Sequence, residues 1–227
     1  QRNVPFAVKF PDEEDLTQQQ FDWIINYIGG VERTLYGSDF KDETNGYRKY
    51  IDAQSFIDYW LIYEICVNHE LANPGSVFLT KDRGGKLVAG PVWDFDIAFD
   101  NDIRTYPVNG KSDFVYTVGS AAGGDVMKNF VNQIIKNNKP ARERLEELWS
   151  EMRASGQISV ESLTEYINQT AQMLQASQRL NFLRWPILDQ KVHENPQALG
   201  SFNAEVGTVR SFIKGRIPFM DQRIISE

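Results

Sequence analysis

Two short stretches of this chain carry the residue types that chemistry needs. The first is Trp93-Asp94-Phe95-Asp96. Along an extended segment side chains alternate faces, so Asp94 and Asp96 point one way and Trp93 and Phe95 the other. Two carboxylates that close raise one pKa unless a cation lies between them, which favours a hard metal such as Mg2+ or Ca2+ bound through oxygen. Asp100, Asn101 and Asp102 lie just downstream as possible further ligands. A solvated acidic edge above a buried Trp/Phe pair accounts for the same pattern, and spacing does not separate the two readings.

The second stretch is Glu64, Asn68, His69 and Glu70. Glu64 and Asn68 are one helical turn apart on one face, and Glu70 falls where the helix should end. Polar groups emerging from so apolar a helix are site candidates; equally, Glu64 can pair with a Lys or Arg and Asn68 can cap the helix. His69 titrates near neutral pH and so suits a general base, although a lone histidine beside a turn reads first as a partly exposed structural residue. Cys66, the one cysteine, has no basic partner nearby in sequence and reads as an inert core thiol.

The elements that must hold these groups are mostly helical. An alternating opening ending at Val8-Lys9-Phe10-Pro11 reads as a short strand stopped by proline. Thr17 with Gln20 makes a capping box, followed by Phe21, Ile24, Ile25, Ile28, Val31 and Leu35 at helical spacing. Residues 38–50 form a polar loop. Asp52 caps a helix running to about Asn68, apolar on nearly all sides and therefore central and buried. Beyond Asn73-Pro74-Gly75, residues 76–80 and 86–89 pair across Gly84-Gly85 as a hairpin.

Residues 91–102 continue from that hairpin, and residues 101–124 make an irregular region of a length that usually serves function. Helical stripes return at Met127, Phe130, Val131, Ile134 and Ile135, then at Leu145, Leu148 and Trp149 behind Pro140. Ser159 caps a helix carrying Leu163, Tyr166, Ile167 and Leu174, and a last helix spans about residues 203–221. Trp23, Trp60, Trp93, Trp149 and Trp185 sit in or beside apolar stripes and read as core. The fold class is α+β, mostly helical, with one small antiparallel hairpin. No repeat or linker divides residues 1–227, which read as one domain.

A formal net charge of −7 makes phosphate backbones and anionic lipid unfavourable default partners, so a nucleic-acid reader is disfavoured. No apolar run approaches the roughly 20 residues of a membrane span. The opening Gln1-Arg2-Asn3-Val4-Pro5 lacks a signal-peptide core and reads as the start of a trimmed or mature piece. Phosphate-loop, dinucleotide-binding, nucleophile-elbow and zinc-protease signatures are absent. Gly123-Gly124 precedes Asp125, whose own charge suits capping rather than anion binding.

A longer ordered series of motifs resembles the spore coat protein H (CotH) kinase family. It comprises Tyr50-Ile51-Asp52, Ser55 to Tyr59, Glu64, Asn68, Ser76, Lys86-Leu87, Gly90 to Asp96 and Ala98-Phe99. Asn181-Phe182, Arg184-Trp185-Pro186 and the closing helix from Arg216 to Ile224 extend the match over most of the chain. The resemblance implies the large lobe of an atypical protein-kinase-like fold that uses ATP and Mg2+, or Mn2+ or Ca2+, to phosphorylate Ser or Thr of a protein substrate. It implies that Asp94 and Asp96 bind metal and nucleotide and that Asn68, Glu70 and Asp96 are catalytic. It also implies an extracytoplasmic or cell-surface location.

Two departures from the family pattern stand out. Where the family has Asn-x-Asp, six residues before the serine, this chain has Asn68-His69-Glu70. A carboxylate one methylene longer shifts its oxygens by more than about an ångström, a displacement that can cost a hundredfold in rate. No glycine-rich loop and no strand lysine followed by a helix glutamate is present, so the nucleotide-clamping lobe is expected to be missing or upstream, and this piece alone inactive. The competing expectation is a non-catalytic cell-envelope binding or structural relative that keeps a divalent-cation site. Oligomeric state is not legible.

Overall fold

The computed structural model describes residues 6–71, 75–104, 114–115 and 129–224. Thr17 and Gln20 form the capping box: the Thr17 amide donates to Gln20 Oε1 at 2.8 Å and the Gln20 amide to Thr17 Oγ1 at 3.3 Å. Helix α1 follows over Gln18–Leu35. Its buried side is narrower than the apolar stripe, since Val31 and Leu35 are buried while Phe21 and Ile25 are exposed. Gly30 marks the contact of α1 with the next loop, because a Cβ there would lie 2.8 Å from the Tyr50 ring. The alternation in residues 6–10 is not realised as a strand. A strand needs a partner for its backbone groups, and the only sheet among the described residues is the later hairpin.

The loop after α1 is irregular but anchored by Tyr47, which is fully buried. Its hydroxyl accepts from Asn138 Nδ2 at 2.6 Å and donates to the Ile134 carbonyl at 3.4 Å. Asp52 then caps α2, Ala53–Cys66, by accepting the Ser55 amide at 3.1 Å. Phe56, Ile57, Tyr59, Trp60, Leu61, Tyr63 and Glu64 are buried, leaving a narrow exposed strip at Gln54, Asp58 and Ile62.

Strands β1, Leu79–Lys81, and β2, Leu87–Ala89, pair antiparallel with Leu79 opposite Ala89. The hairpin is fastened to the start of α2. Leu87 donates to the Tyr50 carbonyl at 2.8 Å and accepts the Asp52 amide at 2.9 Å, and the Ala89 amide reaches Ser55 Oγ at 3.1 Å. The chain leaving β2 is thereby set against α2.

The second half is helical. Phe130, Val131, Ile134 and Ile135 are buried, the last two in a π-helical turn, Asn132–Lys136. Helix α3, Lys139–Ala154, has Pro140 in its first turn, and Ser159 caps α4, Val160–Met173. Helix α5, Gln175–Arg184, has no signature in the sequence: it buries no residue and has no side-chain cap, and it continues α4 through Leu174. Helix α6, Phe202–Ile224, buries Phe212, Ile213, Ile217 and Met220 in the core built around α2. Trp60 and Trp149 are core residues, but Trp23, Trp93 and Trp185 are each 54% exposed, so adjacency to an apolar stripe did not make them core. Met127 and Gly123-Gly124-Asp125 lie outside the described residues. No described helix is long and apolar enough to cross a membrane.

Candidate functional site

The end of α2 is shaped by one residue in the left-handed region. Val67 has φ 53° and ψ 56°. Its amide donates to the Glu64 carbonyl at 3.2 Å and the Asn68 amide to the Tyr63 carbonyl at 2.9 Å, the paired bonds of a Schellman cap. Glycine is the usual residue there, and a left-handed valine costs about 1–2 kcal/mol. Complete burial of Val67 holds it in place. The turn reverses the chain so that Asn68, also fully buried, faces back toward the segment leaving the hairpin.

That segment is not the extended strand its alternation implies. Asp94, Phe99 and Asp100 all have φ near 60°, and two successive turns cover residues 95–101, where the Ala98 amide donates to the Phe95 carbonyl at 3.2 Å and the Asn101 amide to the Ala98 carbonyl at 3.1 Å. Tyr63 supplies the first clamp: its hydroxyl accepts the Trp93 amide at 3.2 Å and donates to the Trp93 carbonyl at 3.3 Å, and its ring meets Phe95 edge-on at 4.9 Å. Asn68 Nδ2 donates to the Asp94 carbonyl at 3.0 Å while Asn68 Oδ1 accepts the Glu70 amide at 2.9 Å. The Phe99 amide reaches the Cys66 carbonyl at 2.7 Å. The backbone leaves the extended region at Asp94, so the closeness of the Asp94 and Asp96 carboxyl groups is not that of strand alternation.

Electrostatics report that proximity. The Asp94 carboxyl is raised above the usual range, first by the hydrogen bond and charge of Asp96, with burial and the charge of Glu70 adding to it. Like charges without a cation produce this effect. Glu70 Oε2 accepts the Gly75 and Ser76 amides at 2.5 Å and 2.6 Å, tying the loop back to the helix end. Asn68, Glu70, Asp94 and Asp96 are thus neighbours at one end of α2.

Other candidates are not part of that group. Asp100 and Asp102 are buried, and Asp102 is engaged by Arg104 through its Nε at 2.8 Å and through Nη2. Burial would raise the Asp102 carboxyl, but the Arg104 side chain and amide outweigh it and hold it below the usual range. Asn101 donates to the Asp96 carbonyl at 2.9 Å and steadies the turn. His69 is not partly exposed but buried; burial, then the Arg104 charge, push its pKa down. Glu64 takes the pairing alternative, bonding Arg216 at 2.9 Å with both side chains fully buried. Cys66 is the inert thiol expected, pushed up to about 12 by burial. Among the described residues, no three of His, Cys, Asp and Glu gather as a metal-binding group.

Along the first half of α2, at Phe56 and Tyr59, lies a groove of about 970 Å³, bounded by residues 6–11, α1 and β1. Trp23, Tyr27, Phe56, Tyr59 and Phe78 contribute aromatic walls, and Gly75, held by Glu70, is among its lining residues. Neither the groove nor the Tyr63 clamp is written as a motif. The one available signal for Tyr63 is that a buried tyrosine hydroxyl must find a partner.

The family model described as CotH kinase protein matches residues 6–220. The chain belongs to the CotH kinase family. Neither the curated proteins nor the solved structures compared with the chain gave a match. The family match spans α1, α2, the hairpin, the acidic turns and nearly all of α6, so the elements that position the acidic group lie within it.

Proposed function

We propose that this chain is the large lobe of a CotH-type kinase that, in its complete form, transfers phosphate from ATP to Ser or Thr of a protein substrate. The observation that carries this reading is the buried Asn68 side chain, which bonds the Glu70 amide on one side and the Asp94 carbonyl on the other. Asp94 and Asp96 suit a divalent ion, Mg2+ or alternatively Mn2+ or Ca2+. Their crowding disfavours two bare negative charges, and Mg2+ commonly takes one or two carboxylates and completes its shell with water and phosphate oxygens. When bound, such an ion neutralises charge on the transferring phosphates.

Glu70 is assigned as the base. It takes the acceptor hydroxyl's proton as that oxygen bonds the γ-phosphorus and the bond from phosphorus to the leaving ADP oxygen breaks. The apolar, aromatic groove suits a purine base. An extracytoplasmic location is proposed from family membership alone.

One observation favours a second reading. The Glu70 contacts with Gly75 and Ser76 are those of a loop-closing carboxylate, as in a non-catalytic cell-envelope relative that keeps the cation site. The test is incorporation of labelled phosphate from ATP by the full chain, compared with Glu70→Gln and Asp96→Ala. Loss of labelling in both variants supports the assigned roles, and equal labelling in all three removes them. No labelling by any, with Mn2+ binding retained and lost only in Asp96→Ala, supports the non-catalytic relative.

A further inference from the structure

Helix α6 reaches the end of α2 through the side chain of Arg216. Arg216 is fully buried and lies 152 residues from Glu64, yet its Nη2 donates to Glu64 Oε2 and its Nε to the Glu64 carbonyl, both at 2.9 Å. That carbonyl is the one that accepts the Val67 amide in the left-handed cap. Glu64 Oε2 also accepts the Val115 amide at 2.7 Å. Burial weighs against the guanidinium charge, and the carboxylates of Glu64 and then Asp100 are what offset it. Asp100 closes the acidic turns, and its neighbour Phe99 packs edge-on against Phe212 of α6 at 5.6 Å.

We propose that Arg216 is a positioning residue that sets both halves of the site: the α2 cap carrying Asn68 and Glu70, and the turns carrying Asp94 and Asp96. The inference rests on the proposed cation site but concerns what fixes its shape. A fully buried ion pair contributes little net stability compared with apolar residues of similar volume, because desolvation of both charges offsets their attraction. Direction is what it supplies. A guanidinium presents donors in a rigid fork, so one side chain bonds a carbonyl and a carboxylate at once, which a lysine ammonium on a flexible stem does not reproduce.

The test separates shape from stability. The paired replacement Glu64→Leu with Arg216→Met removes both charges at near-constant volume and avoids an unpaired ion at either position, but it takes the acceptor from the Val115 amide, so a loss of about 1–3 kcal/mol is expected. Its affinity for Mn2+, and that of Arg216→Lys, should fall about tenfold. Leu145→Ala, which opens the core at α3 away from the site, should lower stability and leave Mn2+ affinity unchanged. Amide hydrogen exchange should accelerate at least tenfold at Glu70 and Phe99 in the Arg216 variants, with the α1 amide of Val31 unaffected. Wild-type Mn2+ affinity in the paired replacement overturns the proposal, as does uniform acceleration of exchange; if that pair does not fold, Arg216→Lys decides by the same two measurements. If the wild type binds no Mn2+, the cation reading fails, and the exchange pattern at Glu70 and Phe99 still decides the positioning role.

Discussion

Replacing Asn68 probes the junction on which the site depends. Asn68→Ala removes the acceptor of the Glu70 amide and the donor to the Asp94 carbonyl. The partly buried Glu70 amide is left without its partner, while the Asp94 carbonyl lies in an exposed residue and regains water. An unsatisfied buried group costs about 1–3 kcal/mol and an ordinary lost bond about 1 kcal/mol, so the variant should lose about 2–4 kcal/mol in urea unfolding. That loss should not change between pH 5 and pH 8.

Asn68→Asp behaves differently. It keeps an acceptor for Glu70 but adds a buried carboxylate near Asp94, Asp96 and Glu70, which raises its folded pKa above the unfolded value of about 4. By linkage its stability is present at low pH and lost as pH rises through the folded pKa, so the deficit should grow from pH 5 to pH 8. A loss below about 0.5 kcal/mol for Asn68→Ala, or a pH-independent deficit for Asn68→Asp, refutes the junction as described.

Three further outcomes are expected. Asp96→Asn should raise the thermal midpoint of the metal-free protein, because it relieves the charge that raises Asp94, and should abolish any midpoint increase on adding Mn2+; a lowered metal-free midpoint contradicts the crowding. Cys66, with its thiol moved from 9.0 to about 12, should react with iodoacetamide at pH 9 about 500-fold more slowly in the native protein than in urea, since the thiolate fraction drops from one half to about one in a thousand. Because that folded pKa is raised, the thiol's contribution to stability is present below pH 9 and is lost as pH climbs toward 12. Tyr47→Phe keeps the buried ring but leaves the Asn138 amide without its acceptor, and calorimetry should show a loss of about 1–3 kcal/mol that shrinks when Asn138→Leu is added.

Short-range signals carried much of the architecture. The Thr17–Gln20 box, the Asp52 and Ser159 caps and the Pro140 start act within one turn of their helices, where neighbours along the chain decide the geometry. The hairpin was legible in the same way from its Gly84-Gly85 turn, but its pairing lies one residue further along each strand than that reading, with Lys81 opposite Leu87. Helix α5 escaped notice because it buries no side chain and leaves no stripe to read. The grouping of Asn68 and Glu70 near Asp94 and Asp96 was legible as paired acids and a polar helix end, but its geometry was not. Alternation assumes an extended backbone, whereas three left-handed residues, Asp94, Phe99 and Asp100, bend this one into turns.

Composition alone determined that this is an acidic chain able to build a core, and local pattern determined where its helices start. Only the tertiary structure decided that Glu64 is neutralised by Arg216, that Tyr63 clamps Trp93, and that Asp102 turns away to Arg104. Those partners are separated by 152, 30 and 2 residues. Even the nearest pair depends on burial, and burial is set by what the rest of the chain packs against it, which no local pattern of residue types encodes.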